Sequence, residues 1–167
     1  MYRMEYKTNV GDMAPDFTVR STSGKNVRLY DCKNKKTVLL FFFDHERARC
    51  LDIISKIGLD HDRFKNMDVA VFPITGTDVE KAKTLKEKLE LPFNILCDED
   101  HGVIKMYKTG QCSTTAAHVC FEVITNVTEP TIFIIDTSGV IRSKMRVTSS
   151  NIPDNETLLM RCKEAGE

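Results

Sequence analysis

The chain has 167 residues, 41% hydrophobic and 29% charged, enough for one domain with a core of its own. Its 24 Lys and Arg balance 24 Asp and Glu, so it lacks the basic excess of a nucleic-acid footprint. No apolar run reaches membrane-spanning length, and Met1 to Lys7 lacks the apolar stretch of a signal peptide, so the expected setting is the cytoplasm, with no membrane partner.

Pro15 to Arg20 and Val27 to Tyr30 flank a turn containing Gly24 and read as an N-terminal β-hairpin. Thr37 to Phe43 is apolar throughout, as a central strand covered on both faces would be. The next helix contains Cys50, Ile53, Ile54 and Ile57 at helical spacing and is expected to run to about Phe64. Asp68 to Ile74 is a second buried strand, with Pro73 near its end. Thr77 and Glu80 form a capping box for a helix through Leu91, which Pro92 stops. A short strand, Phe93 to Cys97, and a short helix, His101 to Tyr107, follow. Residues 108–129 form an insertion in which His118 to Ile124 alternates weakly, as an extra strand would. Thr131 to Ile135 is a further central strand, Val140 to Val147 completes a hairpin with it, and Pro153 to Ala165 is a terminal helix with Gly166 at its end. This order predicts a single α/β domain over 1–167: a central mixed β-sheet flanked by helices.

Six cysteines, at 32, 50, 97, 112, 120 and 162, are scattered without a C-x-x-C pair, and in a reducing compartment they are free thiols. The four histidines have no zinc-site spacing with them, so no metal is expected. Gly102 and Gly110 make no phosphate loop, and no nucleotide or flavin cofactor is implied. Cys50 stands apart because it follows a buried strand and the charged stretch Asp44 to Arg49, and opens a helix. A helix N-terminus presents unpaired N–H groups and partial positive charge, and Arg47 and Arg49 add cations. Both effects favour the thiolate, which is the nucleophile. The expected chemistry is therefore redox thiol chemistry at Cys50, with a lowered thiol pKa.

Four segments carry a family likeness. Gly11-Asp12-Met13-Ala14-Pro15-Asp16-Phe17 resembles a G-x-x-A-P-D-F entry, and Val38 to Phe43 resembles the strand before an active cysteine. Leu91 to Asp98 is similar to L-P-F-x-L-L-x-D, and Pro130 to Asp136 with Gly139 to P-x-x-F-x-I-D-x-x-G. Over residues 8 to 147 the chain resembles the redoxin branch of the thioredoxin superfamily, the AhpC/TSA peroxiredoxins and the TlpA/ResA-like thiol–disulfide oxidoreductases. The resemblance implies a thioredoxin-like fold with the insertion preceding a cis-proline strand. In that pattern Pro130 is the cis-proline beside the active thiol, so the Glu129–Pro130 bond is expected to be cis.

The active-site motif departs from both branches. Where peroxiredoxins have P-x-x-x-T-x-x-C, this chain has Phe43 and Arg47 ahead of Cys50, and Pro130 stands where that family has an arginine. Aligned with the C-x-x-C of TlpA-like proteins, the first cysteine is again Arg47. The leading expectation is a peroxiredoxin-like protein: Cys50 attacks a peroxide, Arg47 or Arg49 replaces the missing electrostatics, and a second thiol regenerates the cysteine. Cys112 and Cys120 are the resolving candidates, because the insertion that carries them leads into Pro130. If neither acts, thioredoxin or a small thiol is the reductant. The alternatives are a single-cysteine thiol–disulfide oxidoreductase acting on a disulfide substrate, and a redoxin-fold binding module whose site has degenerated. Nothing in the sequence marks an association surface, so the oligomeric state stays open.

Overall fold

The computed structural model describes residues 6–110 and 126–167. Cys112, Cys120 and the expected strand His118 to Ile124 lie outside the described residues. In chain order the elements are β1 (Thr18–Ser21), β2 (Asn26–Arg28), a 3-10 turn (Leu29–Cys32), β3 (Thr37–Phe42), α1 (Ala48–Leu59), α2 (His61–Asn66), β4 (Val69–Thr75), α3 (Val79–Lys88), β5 (Leu96–Cys97), α4 (Gly102–Met106), β6 (Thr131–Ile135), β7 (Ile141–Arg146) and α5 (Asn155–Ala165). The described strands form one mixed sheet in the order β2-β1-β5-β4-β3-β6-β7. β3, β4 and β5 run parallel, and β6 returns antiparallel beside β3. The hairpin β1–β2 joins through the antiparallel pair β1–β5.

All six β3 residues are buried, because this strand has a neighbour on each edge and a packed layer on each face. Strand alternation divides its side chains between two cores. Leu39, Phe41 and Phe43 pack with Ile53, Ile54 and Ile57 of α1, Phe64 of α2, and Leu158 and Cys162 of α5. Val38, Leu40 and Phe42 pack on the other face with Ile104, Tyr107 and Phe133.

The expected helix from Cys50 to Phe64 is two helices. Asp60 ends α1 at φ −104° and ψ 16°, and α2 starts at His61. Asn155 stabilises the break: its Nδ2 donates to the Lys56 carbonyl at 2.8 Å and to Asp60 Oδ2 at 2.7 Å. Pro73 lies within β4, which continues to Thr75. The backbone groups of Ile74 face β3, where Phe43 N–H donates to the Ile74 carbonyl, so those of Pro73 face the other way. β5 joins that side only from Ile74 onward, so the N–H that proline lacks has no ladder partner to leave unpaired. The cap of α3 is Asp78, whose Oδ1 accepts from Lys81 N–H at 2.8 Å, and the helix ends at Lys88 before Glu90 turns to φ +53°. A carboxylate one residue inside the Thr77 box thus takes the cap, bringing its charge to the helix N-terminus.

The Glu129–Pro130 bond is trans, contrary to the sequence expectation, as the described residues contain no cis peptide. The trans form is the intrinsic preference of an X–Pro bond, and hydrogen bonds on both sides suit it here. Thr131 Oγ1 donates to the Glu129 carbonyl at 2.8 Å, and Val147 N–H donates to the Pro130 carbonyl at 2.8 Å.

Candidate active site

β3 ends at Phe42, and the chain leaves the sheet through Phe43 and the loop 44–47 before α1 begins at Ala48. Cys50 is the third residue of α1, in the first turn, as the spacing predicts. Arg47 caps the helix without a side-chain hydrogen bond. The register of β3 against β6 pairs Phe42 with Thr131, so Pro130 reaches the same end of the sheet. The fold thus brings Cys50, Arg47, Arg49 and Pro130 to one end of the two central strands.

The electrostatics differ from the sequence expectation. Cys50 is fully buried, at 0% exposure, in the core of Ile53, Ile54, Phe41 and Phe43. Burial pushes its thiol pKa up from the ordinary 9.0, against the pull of the Asp44 backbone N–H turned toward the sulfur, Arg47 and Arg49, while the Asp44 carboxylate adds to the rise. Desolvation of the thiolate therefore outweighs the cations. Arg47 acts weakly because its Nε lies 3.6 Å from Asp44 Oδ2, so an anion shares its charge. Cys97 and Cys162 are buried and pushed up to about 12, and Cys32 is half-buried and raised.

This order of effects sets a pH dependence. A thiol whose pKa is raised carries less thiolate at neutral pH than a free one. The alkylation rate of Cys50 by iodoacetamide is expected to keep climbing past pH 9.0. A rate levelling off at about pH 7, as for an activated thiol, would show that the cations win instead.

A polar cluster that joins the loop before α1 to the end of β4 was not legible in the sequence. Asn126 Oδ1 accepts from Val127 N–H at 2.8 Å, Gly76 N–H at 3.4 Å and the Thr75 hydroxyl at 3.3 Å. Its Nδ2 donates to Asp44 Oδ1 at 3.1 Å and lies 3.3 Å from His45 Nδ1. His45 Nδ1 is also 3.0 Å from Thr75 Oγ1. Asp44 and His45 stand in the loop already singled out, but Thr75 and Asn126 are 51 positions apart and meet there only through tertiary structure. His101 packs on this corner: a Cβ at Gly76 would lie 2.7 Å from its Cδ2 and 3.0 Å from Ile104 Cδ1, so glycine suits the close approach. Arg146 of β7 adds a cation at the same sheet end, 3.4 Å from Glu129. Among the described residues no group of three His, Cys, Asp or Glu is placed to hold a metal ion, and no helix is long and apolar enough to cross a membrane.

The family model for the AhpC/TSA family matches residues 10–144, most of the chain and all of this site's approach. The chain belongs to the AhpC/TSA family. It is 32% identical over 111 residues to a chloroplastic peroxiredoxin Q from Suaeda salsa, covering 63% of this chain and 52% of that protein. It is 29% identical over 98 residues to peroxiredoxin Bcp from Bacillus subtilis, covering 59% of this chain and 62% of that one. The chain thus spans about half the length of the plant relatives it matches. The fold is similar to that of the crystal structure of peroxidoxin BcpB from Mycobacterium tuberculosis, with a TM-score of 0.80 at 18% identity over 96% of this chain and 100% of that one. A mitochondrial 2-Cys peroxiredoxin from Plasmodium falciparum gives a TM-score of 0.77 at 18% identity over 93% of each. The redoxin resemblance and the α/β thioredoxin-like fold read from the four motifs hold at this level.

Proposed function

We propose that this AhpC/TSA protein is a thiol peroxidase in which Cys50 is the peroxidatic residue. The observation that carries the reading is the position of Cys50: the first turn of α1, just past the end of the central strand β3, with Arg47 at the helix cap. The relatives' names, peroxiredoxin Q and peroxiredoxin Bcp, support the same chemistry. In the reaction the Cys50 thiolate attacks the terminal oxygen of a hydroperoxide, the O–O bond breaks, and an S–O bond forms. The sulfur is oxidised to sulfenic acid, and the departing alkoxide or hydroxide takes up a proton. A thiol then condenses with the sulfenic acid, releasing water and leaving a disulfide. A second thiol exchanges with that disulfide to restore Cys50. The helix N-terminus, Arg47 and Arg49 favour the anionic sulfur, and Pro130 walls the same end of the sheet. A small thiol or thioredoxin serves as reductant in a reducing compartment such as the cytoplasm, and Cys112 and Cys120 are candidates for the first, internal step.

The test is a brief, near-stoichiometric hydrogen peroxide pulse followed by a sulfenic-acid-specific probe and peptide mapping. Label concentrated on Cys50, faster than on a free thiol, is expected. Label spread over the cysteines in proportion to their exposure would overturn the assignment.

A further inference from the structure

β4 has a partner strand along the whole of one edge, but on the other edge only at its end. Thr37 N–H donates to the Asp68 carbonyl at 3.1 Å and Phe43 N–H to the Ile74 carbonyl at 3.0 Å, so the even-numbered residues turn their main-chain groups to β3. Those of Val69, Val71 and Pro73 then point to the opposite edge. β5 reaches that edge only at Ile74 and Thr75. Among the described residues, the N–H and C=O groups of Val69 and Val71 have no ladder partner there and no other hydrogen bond.

The chain leading into β5 is held away from this edge. Asn94 is tied to the turn of the β1–β2 hairpin: its Oδ1 accepts from Thr22 Oγ1 and from Lys86 Nζ, each at 3.0 Å. Ile95 N–H donates to Thr22 Oγ1 at 3.1 Å, and Thr22 N–H returns to the Ile95 carbonyl at 3.0 Å. Beside the edge lies a cavity of about 260 Å³, whose lining includes Val69, Val71, His61, Lys65, Lys36 and Phe93. Val69 and Val71 are only 3% and 6% exposed, so their main-chain groups look into this cavity. Buried main-chain groups rarely stay unpaired, so the cavity suits a polar occupant. N–H and C=O groups repeated along an extended edge match the main chain of another extended segment. The lining also carries a charge preference. It contains no Asp or Glu, and the exposed Lys36 and Lys65 make no ion pair among the described residues. His61 rests edge-on against Phe93 at 5.3 Å, and burial holds its pKa below the ordinary 6.5.

We propose that this open edge of β4 binds a short extended peptide segment with acidic side chains, paired through the main chain of Val69 and Val71 and held by Lys36 and Lys65. The main-chain hydrogen bonds supply affinity for any extended segment, and the two lysines select the acidic one. Both flank the start of the strand: Lys36 precedes Thr37, the β3 partner of Val69, and Lys65 lies in the last turn of α2. Cys50 lies past the other end of β3, so the site is remote from the thiol and does not depend on the peroxidase reading.

The test is NMR on the isotope-labelled full chain, titrated with a capped peptide of alternating glutamate and valine. Amide hydrogen exchange at Val69 and Val71 is expected to slow about tenfold at a peptide concentration ten times the dissociation constant. The His61 ring should titrate at higher pH with peptide bound, because a carboxylate nearby favours the imidazolium. Lys36→Glu combined with Lys65→Glu should weaken binding about tenfold, the effect of reversing two exposed charges. Both lysines are exposed, so the variant should fold and should remove peroxide at the unmodified rate. Unchanged exchange at Val69 and Val71 would overturn the proposal, as would equal protection by a peptide of alternating lysine and valine. Sodium acetate that moves the His61 titration as far as the peptide does, while the peptide gives no protection, would reduce the site to an anion contact. Protection that appears on concentrating the protein alone would assign the edge to a second copy of this chain and overturn the acidic-peptide occupant. Failure of the peroxidase reading would show separately, as absent sulfenic-acid label on Cys50.

Discussion

Cys50→Ser is expected to abolish peroxide consumption above the level set by the remaining thiols, a loss of about a hundredfold or more. The serine hydroxyl cannot be oxidised by a peroxide as a thiolate is, so no sulfenic acid forms. The substitution is nearly isosteric, and the side chain keeps its place in the core beside Ile53 and Ile54. The fold should therefore persist, and circular dichroism of the variant separates loss of chemistry from loss of structure. The measurement is the initial rate of hydrogen peroxide removal with dithiothreitol as reductant. A folded variant that retains most of the rate would remove Cys50 from the mechanism and leave the domain as a binding module on a redoxin scaffold.

Phe42→Ala should give the largest loss of stability. Phe42 is fully buried at the end of β3, with its ring centroid 5.0 Å from that of Tyr107 and 5.8 Å from that of Phe133. Its neighbours come from β6 and from the end of α4, elements fixed by the sheet and by the Tyr107 hydroxyl donating to the Pro15 carbonyl. Such a site collapses poorly, so the lost burial and the residual cavity together should cost about 3–5 kcal/mol. That is a large share of the roughly 5–15 kcal/mol that holds a typical domain together. Urea denaturation should show the midpoint falling with an unchanged slope. A loss of only about 1 kcal/mol would mean that the second core is loosely packed. Phe42→Leu, which keeps most of the volume, is the control.

The elements that were legible in the sequence are those that depend on neighbours along the chain. Unbroken apolarity announced β3 and β6, because a strand covered on both faces has no polar side. The helical spacing of Cys50, Ile53, Ile54 and Ile57 announced α1 and placed Cys50 in its first turn. Four short motifs in order were enough for the family, and the family model covers the same stretch. Boundaries were less legible where a distant residue takes part. Asn155, far along the chain, braces the break at Asp60, and Pro73 sits inside β4 because β5 begins one residue further on.

The state of the active thiol was decided by the tertiary structure. From sequence, a helix start and two arginines predict a lowered thiol pKa. In the fold, Asp44 shares the charge of Arg47, and the core around Cys50 excludes the water that a thiolate needs, so the shift is upward. Pro130 reached the right end of the sheet, but in a trans bond. Thr75 and Asn126 carry no local signal, and only the packing of the sheet end brings them to His45. The chain order by itself determined the family, the order of strands and helices, and which cysteine opens the helix at the end of the central strand. Periodicity and motif spacing are properties of adjacent residues, and they survive in the linear text. The charge, solvation and hydrogen-bond partners of that cysteine and of His45 were decided only by the tertiary structure. They depend on the distance and dielectric between groups that the linear sequence keeps far apart.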